Sequence, residues 1–470
     1  MIEAIKSDLS IVKRWLDEGR HDLAGPTLTS YMMANPDCEQ GLFLLGRLML
    51  DQESPVLARF IYEKTTQGEG AKRWQDWLNL GSAFDHLNQP EDAERCYKVA
   101  LELSPDNQSA LACLGTCYVQ QYRSEEAEAV LKKCIELHPD ARKAVSSLGF
   151  ALLQQRKWGE GWDAYEAGYG KLKDRTERQY RGEGLWNGAK KKTERILVHG
   201  EQGIGDQIAG LEPLNDLAEQ TTVVGVEVSA KLESLVQRSY PDLDVHGTLE
   251  ETDLEWPLTK DITSHCGPFT IHKYYRRKES DYPKKPYLVA DPVRKLQWRA
   301  YFDSLGPEPK IGIAWTGGSH LTHSAKRRSP LSEWMPIFNQ DAHFISLEYK
   351  NRDDDIQAIA RRRKVKIHNF PWATRSKDYD DAAALIDELD LIICVPQSAV
   401  HLAGALGKTV WCMVHDTPNI HYTSQGDHLA YYRDVQLFRR GDDWSVISTI
   451  AEKLADWIKD SADAPRLRRA

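Results

Sequence analysis

Two glycine-bearing turns hold the residues best suited to chemistry. The first, His199-Gly200-Glu201-Gln202-Gly203-Ile204-Gly205-Asp206, directly follows the apolar stretch Ile196-Leu197-Val198. Glycines let a backbone come close to a ligand, and the start of the helix that follows favours an anion. Asp206 ends this turn. An acid there places favourable charge at a helix N-terminus, and a carboxylate on a cleft loop also meets the first requirement of a general base, which is reach. The second run, Pro396-Gln397-Ser398-Ala399-Val400-His401-Leu402-Ala403-Gly404-Ala405-Leu406-Gly407-Lys408, reads as a loop, a helix capped by Ser398 and a glycine stop. His401, in the first turn of that helix, suits either the orientation of a phosphate or sugar or a buried hydrogen bond. Between the two runs stand Thr316-Gly317-Gly318-Ser319-His320, with His323 beyond, and the basic run Lys326-Arg327-Arg328-Ser329. A charge run is usually a solvated face. This one comes soon after a glycine turn, where an arginine such as Arg328 can grip an anion through two parallel hydrogen bonds.

Short apolar strands alternating with helical stretches must position these turns. Ile196-Leu197-Val198 and Val223-Val224-Gly225-Val226-Glu227-Val228 are spaced as a strand–helix–strand unit. A second half opens at Lys310-Ile311-Gly312-Ile313-Ala314-Trp315 and continues through Phe344-Ile345-Ser346-Leu347, Leu391-Ile392-Ile393-Cys394-Val395 and Thr409-Val410-Trp411-Cys412-Met413-Val414. The pattern predicts two parallel α/β sheets with ligand loops at the carboxyl ends of their strands and a cleft for a nucleotide between them. Trp315 reads as core. Asp353-Asp354-Asp355 opens a helical segment, where acids are ordinary, so no metal site is expected.

The first third is built differently. Leu80-Gly81, Leu114-Gly115 and Leu148-Gly149 recur every 34 residues, and the same frame pairs Ala93 with Ala127, Tyr97 with Leu131 and Pro105 with Pro139. This is tetratricopeptide spacing. Small residues at Gly81 and Ala93 permit close helix crossing, with Trp77, Leu80, Phe84 and Tyr97 filling the seam. Gly46, Ala58 and Tyr62 fit a weaker upstream unit, and Ala24 with Pro36 a weaker one again. The array is expected over residues 1–178, ending in the aromatic-rich Trp158-Gly159-Glu160-Gly161-Trp162-Asp163-Ala164-Tyr165.

The chain's 470 residues, with 41% hydrophobic and 28% charged, are the balance of a multidomain globular protein. A net charge of -9 gives no footprint for nucleic acid. The first residues carry no apolar run of signal-peptide length, and no stretch approaches the roughly 20 apolar residues of a membrane span; a cytoplasmic location is expected. Eight cysteines without a C-x-x-C pair read as buried free thiols.

Taken together, Gly200 to Asp206, the strand Gly312-Ile313-Ala314-Trp315, Arg328-Ser329, Asp380-Asp381-Ala382-Ala383 before Leu389-Asp390-Leu391, and His401 to Gly407 resemble tetratricopeptide glycosyltransferases whose catalytic module is similar to the heptosyltransferases. The resemblance implies an α-solenoid followed by a GT-B fold: repeats at 1–178, an acceptor-side lobe at 179–300 and a donor-side lobe at 301–470. It implies an inverting, metal-independent transferase that moves a sugar from a nucleotide-sugar to a hydroxyl on a protein, glycan or other macromolecule, with no cofactor; the repeat array either binds that acceptor in its groove or only braces the enzyme, and the pattern favours neither. Asp206 would be the general base, Gly203 and Gly205 the glycines of its loop, and Arg328, Ser329, Gln397, Ser398, His401 and His320 the donor contacts. Heptosyltransferases usually carry an acid five residues before the histidine; here that position is Pro396, so the sugar contact made by that acid is absent or supplied elsewhere. Two other readings stand: a non-catalytic repeat scaffold with a degenerate transferase module, and a glycosyltransferase acting on modified nucleic-acid bases.

Overall fold

The computed structural model describes residues 9–169, 184–201, 203–248, 256, 261–318, 327–416 and 420–463. The repeat frame folds as pairs of helices: Trp74–His86 with Pro90–Leu103, and Gln108–Gln120 with Ser124–Leu137. The weaker units upstream form too, as Ser10–Asp17 with His21–Ala34 and Glu39–Asp51 with Pro55–Gln67. Pro55 and Pro90 open their helices, where a missing N–H leaves no bond unmade. The helices ending at Leu103 and Leu137 stop shortly before Pro105 and Pro139, whose rings and missing donors cannot continue them.

Close crossing explains the small residues. Ala58, Ala93 and Ala127 are wholly buried. A Cβ on Gly46 would lie 2.6 Å from Tyr62 Cζ, one on Gly81 2.5 Å from Tyr97 Cε1, and one on Gly115 2.4 Å from Leu131 Cγ. In each unit the second helix lays a large side chain across the glycine of the first, so the void left by the missing Cβ is the seat of that side chain.

The chain divides into two compact units between Ala151 and Leu152. This is earlier than residue 178, because the helix Trp158–Glu166 buries its aromatic face within the second unit. Trp162, 1% exposed, stacks on Phe269 at 5.6 Å and donates its Nε1–H to the Tyr282 hydroxyl at 3.3 Å. Trp158 donates to Glu279 Oε2 at 2.8 Å.

The rest of that unit is α/β, with two parallel sheets. In chain order the strands are β1 (Gly184–Leu185), β2 (Arg195–Val198), β3 (Thr222–Ser229), β4 (Val245–Thr248), β5 (Ser264–Cys266), β6 (Lys310–Ala314), β7 (His343–Ser346), β8 (Ile367–His368), β9 (Leu391–Cys394), β10 (Val410–His415) and β11 (Val435–Arg440). The first sheet is ordered β1-β5-β2-β3-β4 and the second β11-β10-β9-β6-β7-β8. Both are wound outward in two directions from a central strand, β2 or β6. The second sheet therefore has the strand order of dinucleotide-binding folds. Its core packs Ile311, Ile313, Ile393 and Met413 against Trp315, Trp334 and Ile450. Strands covered on both faces read as continuous apolar runs, which is why β2, β6, β9 and β10 were visible in the sequence. All eight cysteines are free thiols, and six are buried. No helix among the described residues is long and apolar enough to cross a membrane.

Substituting Gly81 by Val should displace Tyr97 and cost about 1–3 kcal/mol of local stability. Hydrogen exchange across Trp74–Leu103 would report it as amide exchange roughly tenfold to a hundredfold faster than in the parent.

Candidate functional site

In an open parallel sheet the crevice lies at the carboxyl ends of the strands, where the winding direction reverses. The reversal falls between β2 and β5 in the first sheet and between β6 and β9 in the second. The glycine turn containing Gly203 leaves β2, the Trp315–Gly318 turn leaves β6, and Val395–Gln397 leaves β9. These ends come together. A Cβ on Gly205 would stand 3.2 Å from His401 Cδ2 and 3.4 Å from Ser398 Cα, so the starts of the helices Ile204–Gly210 and Ser398–Ala405 abut with room for little more than a hydrogen.

Asp206 lies at this junction with its side chain 30% exposed. Its Oδ2 accepts the Gly203 N–H at 3.3 Å, which closes the helix start, and its Oδ1 lies 2.7 Å from His421 Nε2. Burial works to raise this carboxyl. The hydrogen bond from His421, with that from the Gly203 amide, outweighs it and holds Asp206 below its ordinary range. His421 Nδ1 in turn lies 3.3 Å from the Tyr431 hydroxyl, and the His421 ring meets His401 edge-on at 4.9 Å and Phe269 at 5.9 Å. His401, 3% exposed, has its Nδ1 3.2 Å from the Tyr432 hydroxyl, which is 3.3 Å from that of Tyr287. Burial, helped by the charge of Arg327 and opposed by that of Asp206, lowers His401 to about 3, so its imidazole is neutral near pH 7.

The donor-side residues separate. Gln397, not Ser398, occupies the cap position of the Ser398–Ala405 helix and makes no side-chain cap bond. Ser398 is the first helical residue, and its hydroxyl is taken by Tyr379. Gln397 is 7% exposed, and its Nε2 has no hydrogen-bond partner among the described residues. Ser329 is buried to 1%; its N–H donates to Trp315 O at 2.8 Å and its Oγ accepts from Trp334 Nε1 at 2.9 Å, which turns it into the core beneath the β6 turn. Arg328 is 56% exposed and lies 3.8 Å from Asp355. It is Arg327 whose positive charge is felt by His401 and Tyr422. Pro396 is buried beside these residues. His320, His323 and Lys326 lie outside the described residues. No group of three or more His, Cys, Asp or Glu among the described residues is placed to hold a metal ion.

Asp380 and Asp381, read in the sequence as motif residues, tie the sheets together. Arg238, from the helix Glu233–Ser239 of the first sheet, makes a bidentate bond to Asp380 at 2.5 Å on each arm, and Asp380 is 1% exposed. Arg294 bonds Asp381 at 2.6 Å and Asp378 at 2.9 Å.

Sequence reasoning missed His421, Tyr431, Tyr432 and Tyr287. The available signal was the density of rings in His421-Tyr422, which follows β10, and in Tyr431-Tyr432, which precedes β11.

A tetratricopeptide repeat family signature matches residues 86–157, so the repeats are shown in that region. Protein FlbA of Caulobacter vibrioides is 27% identical over 297 residues, 60% of this chain and 49% of that protein. The chain thus spans about half the length of this curated relative. Among solved structures, the MamA protein is similar at 21% identity over 36% of this chain and 91% of its own, with a TM-score of 0.31. A thermophilic TPR protein in Thermus thermophilus is similar at 19% identity over 36% and 90%, also with a TM-score of 0.31.

A histidine held neutral by burial takes up its proton in the unfolded chain near 6.5 but in the folded chain only near 3. The unfolded state therefore binds more protons in this window, and stability falls as pH drops from about 6.5 toward 3. Replacing His401 by Gln should flatten the loss of stability between about pH 7 and pH 5, measured by urea midpoints of the parent and variant across that range.

Proposed function

We propose that the chain is a metal-independent glycosyltransferase of GT-B type, transferring a sugar from a nucleotide-sugar to an acceptor hydroxyl. The observation that carries this reading is the abutment of two sheets at their switch points, which brings a carboxylate from one against the start of the Ser398–Ala405 helix from the other. The strand order of the second sheet supports a nucleotide at its carboxyl edge, where the amino end of the Ser398–Ala405 helix suits a diphosphate. The unpartnered Gln397 Nε2 is a further donor there, and the charge of Arg327 adds to it.

In this mechanism the acceptor O–H proton passes to Asp206 as the acceptor oxygen bonds the anomeric carbon. The bond from that carbon to the donor phosphate breaks with its electron pair, leaving the nucleotide's phosphates stabilised by the helix amides and Arg327. Asp206 held ionised is suited to receive the proton, and attack from the face opposite the leaving group inverts the anomeric centre. Neutral His401 is a hydrogen-bonding and shape element of the pocket floor. The resemblance to tetratricopeptide glycosyltransferases supports the same reading, with a protein or glycan as the macromolecular acceptor and the repeat unit as its docking surface.

Thermal shift with a panel of UDP-, GDP-, ADP-, dTDP- and CMP-linked sugars, followed by mass analysis of the products, tests the proposal; stabilisation by none of them would overturn it. With the donor that is turned over, Asp206→Asn should lower turnover by about two to four orders of magnitude with donor affinity little changed. Arg327→Ala should weaken donor binding as well as turnover, and more than Arg328→Ala does, because the phosphate charge it meets is present in ground and transition states alike. Deleting residues 1–151 should impair transfer to a macromolecular acceptor more than donor hydrolysis. The cut must precede Trp158, whose helix is part of the second unit.

A further inference from the structure

The carboxylate read as the base and the group that orients it come from different sheets. Asp206 stands after β2, whereas His421 lies in the short helix Ile420–Tyr422 that follows β10. The His421 side chain is 2% exposed, which takes an imidazole out of water and obliges both nitrogens to find partners. Nε2 has Asp206 Oδ1 at 2.7 Å, and Nδ1 has the Tyr431 hydroxyl at 3.3 Å. An ionised carboxylate only accepts, so the hydrogen between Asp206 and His421 belongs to Nε2. In the neutral ring Nδ1 is then the acceptor, and Tyr431, itself 1% exposed, donates to it.

The rings around the pair fix its geometry. Tyr431 lies edge-on to Tyr282 at 5.3 Å and to His272 at 5.7 Å, and Trp162 donates to the Tyr282 hydroxyl at 3.3 Å. Phe269 and His401 flank the His421 ring itself. Among the described residues, titratable groups that face His421 include Asp206, His401 and Tyr431. Asp206 Oδ1 is committed to His421. Oδ2, whose one bond among the described residues is the 3.3 Å contact from the Gly203 N–H, is the oxygen left to meet an acceptor hydroxyl.

We propose that His421 is the positioning residue for Asp206: its Nε2–H fixes which carboxylate oxygen faces the acceptor, and Tyr431 supports that arrangement by donating to Nδ1. This rests on the reading of Asp206 as the base. Because Asp206 and His421 belong to different sheets, the base is fully oriented only while the carboxyl edges of those sheets are in contact, so bond-making is tied to closure of the crevice.

Two measurements on the full chain test this, the first with no substrate. Nitrogen-15 NMR of histidine-labelled protein should show a hydrogen on Nε2 of His421 in the parent, kept in Tyr431→Phe and no longer enforced in Asp206→Ala; an Nε2 without hydrogen in the parent overturns the proposal. The second uses whichever nucleotide-linked sugar of the panel is turned over. His421→Phe keeps a ring in place and removes the donor, and should lower kcat by about 100-fold while leaving donor KM within about twofold. His421→Gln restores an N–H near the same place and should recover at least about tenfold of that loss. Near-normal kcat in the Phe variant, or an equal loss in Phe and Gln, would overturn the positioning role. Absence of turnover in the parent would sink the base reading instead, and the NMR result would still say which nitrogen faces Asp206.

Discussion

The hydrogen bond between Asp206 and His421 joins one sheet of the second unit to the other, and most of the geometry around the crevice serves to keep its two ends 2.7 Å apart. Neither partner is held by its own sheet alone. The bidentate Arg238–Asp380 pair spans the same two sheets, and its buried carboxylate makes the contact strict, since losing the guanidinium would strand a charge away from water. Tyr287 adds a third tie: its N–H donates to Ala405 O at 2.9 Å and its hydroxyl to Ile208 O at 2.8 Å, so one residue touches both of the helices that abut at the site. Gly205 completes the arrangement by leaving no side chain where those helices meet.

Beneath the pair lies a wall of rings, and it explains why the helix Trp158–Glu166 belongs to the second unit. Trp162, Phe269, His272, Tyr282 and Tyr431 pass contact from that helix to His421. Such rings exclude water while offering a few fixed hydroxyl and indole donors, so the imidazoles among them are oriented by discrete bonds rather than by solvent. The same burial keeps His401 neutral, so that among the described residues Asp206 and Arg327 are charged groups near it. A carboxylate on one side and an amide-rich helix start beside a positive charge on the other is the division that the proposed transfer requires.

The repeat unit rests on a simpler constraint, the seating of Tyr62, Tyr97 and Leu131 over glycines. Such packing is local. Each pair of helices is joined by a short turn, so the contact between Gly81 and Tyr97 needs no distant element to define it. That is why a constant spacing in the chain translated directly into helix pairs, down to the positions of Pro105 and Pro139.

By itself the sequence determined what local pattern determines. The 34-residue period set the helix pairs, and uninterrupted apolar runs marked β2, β3, β6, β7, β9 and β10. Strands of two to four residues with polar content, such as Ser264-His265-Cys266, carried no such mark, because their burial comes from neighbours far along the chain. The turn ending in Asp206 and the helix start at Ser398 were legible as anion-favouring elements, since glycines and a helix N-terminus act through adjacent backbone. Which residues surround them was decided only by tertiary structure. His421 is 215 positions from Asp206, Tyr379 takes the hydroxyl expected to cap a helix, and Arg327 rather than its neighbour Arg328 sends its charge toward His401. Hydrogen bonds and charges act through a few ångströms of space, and the packing of two sheets, not their separation in the chain, sets those distances.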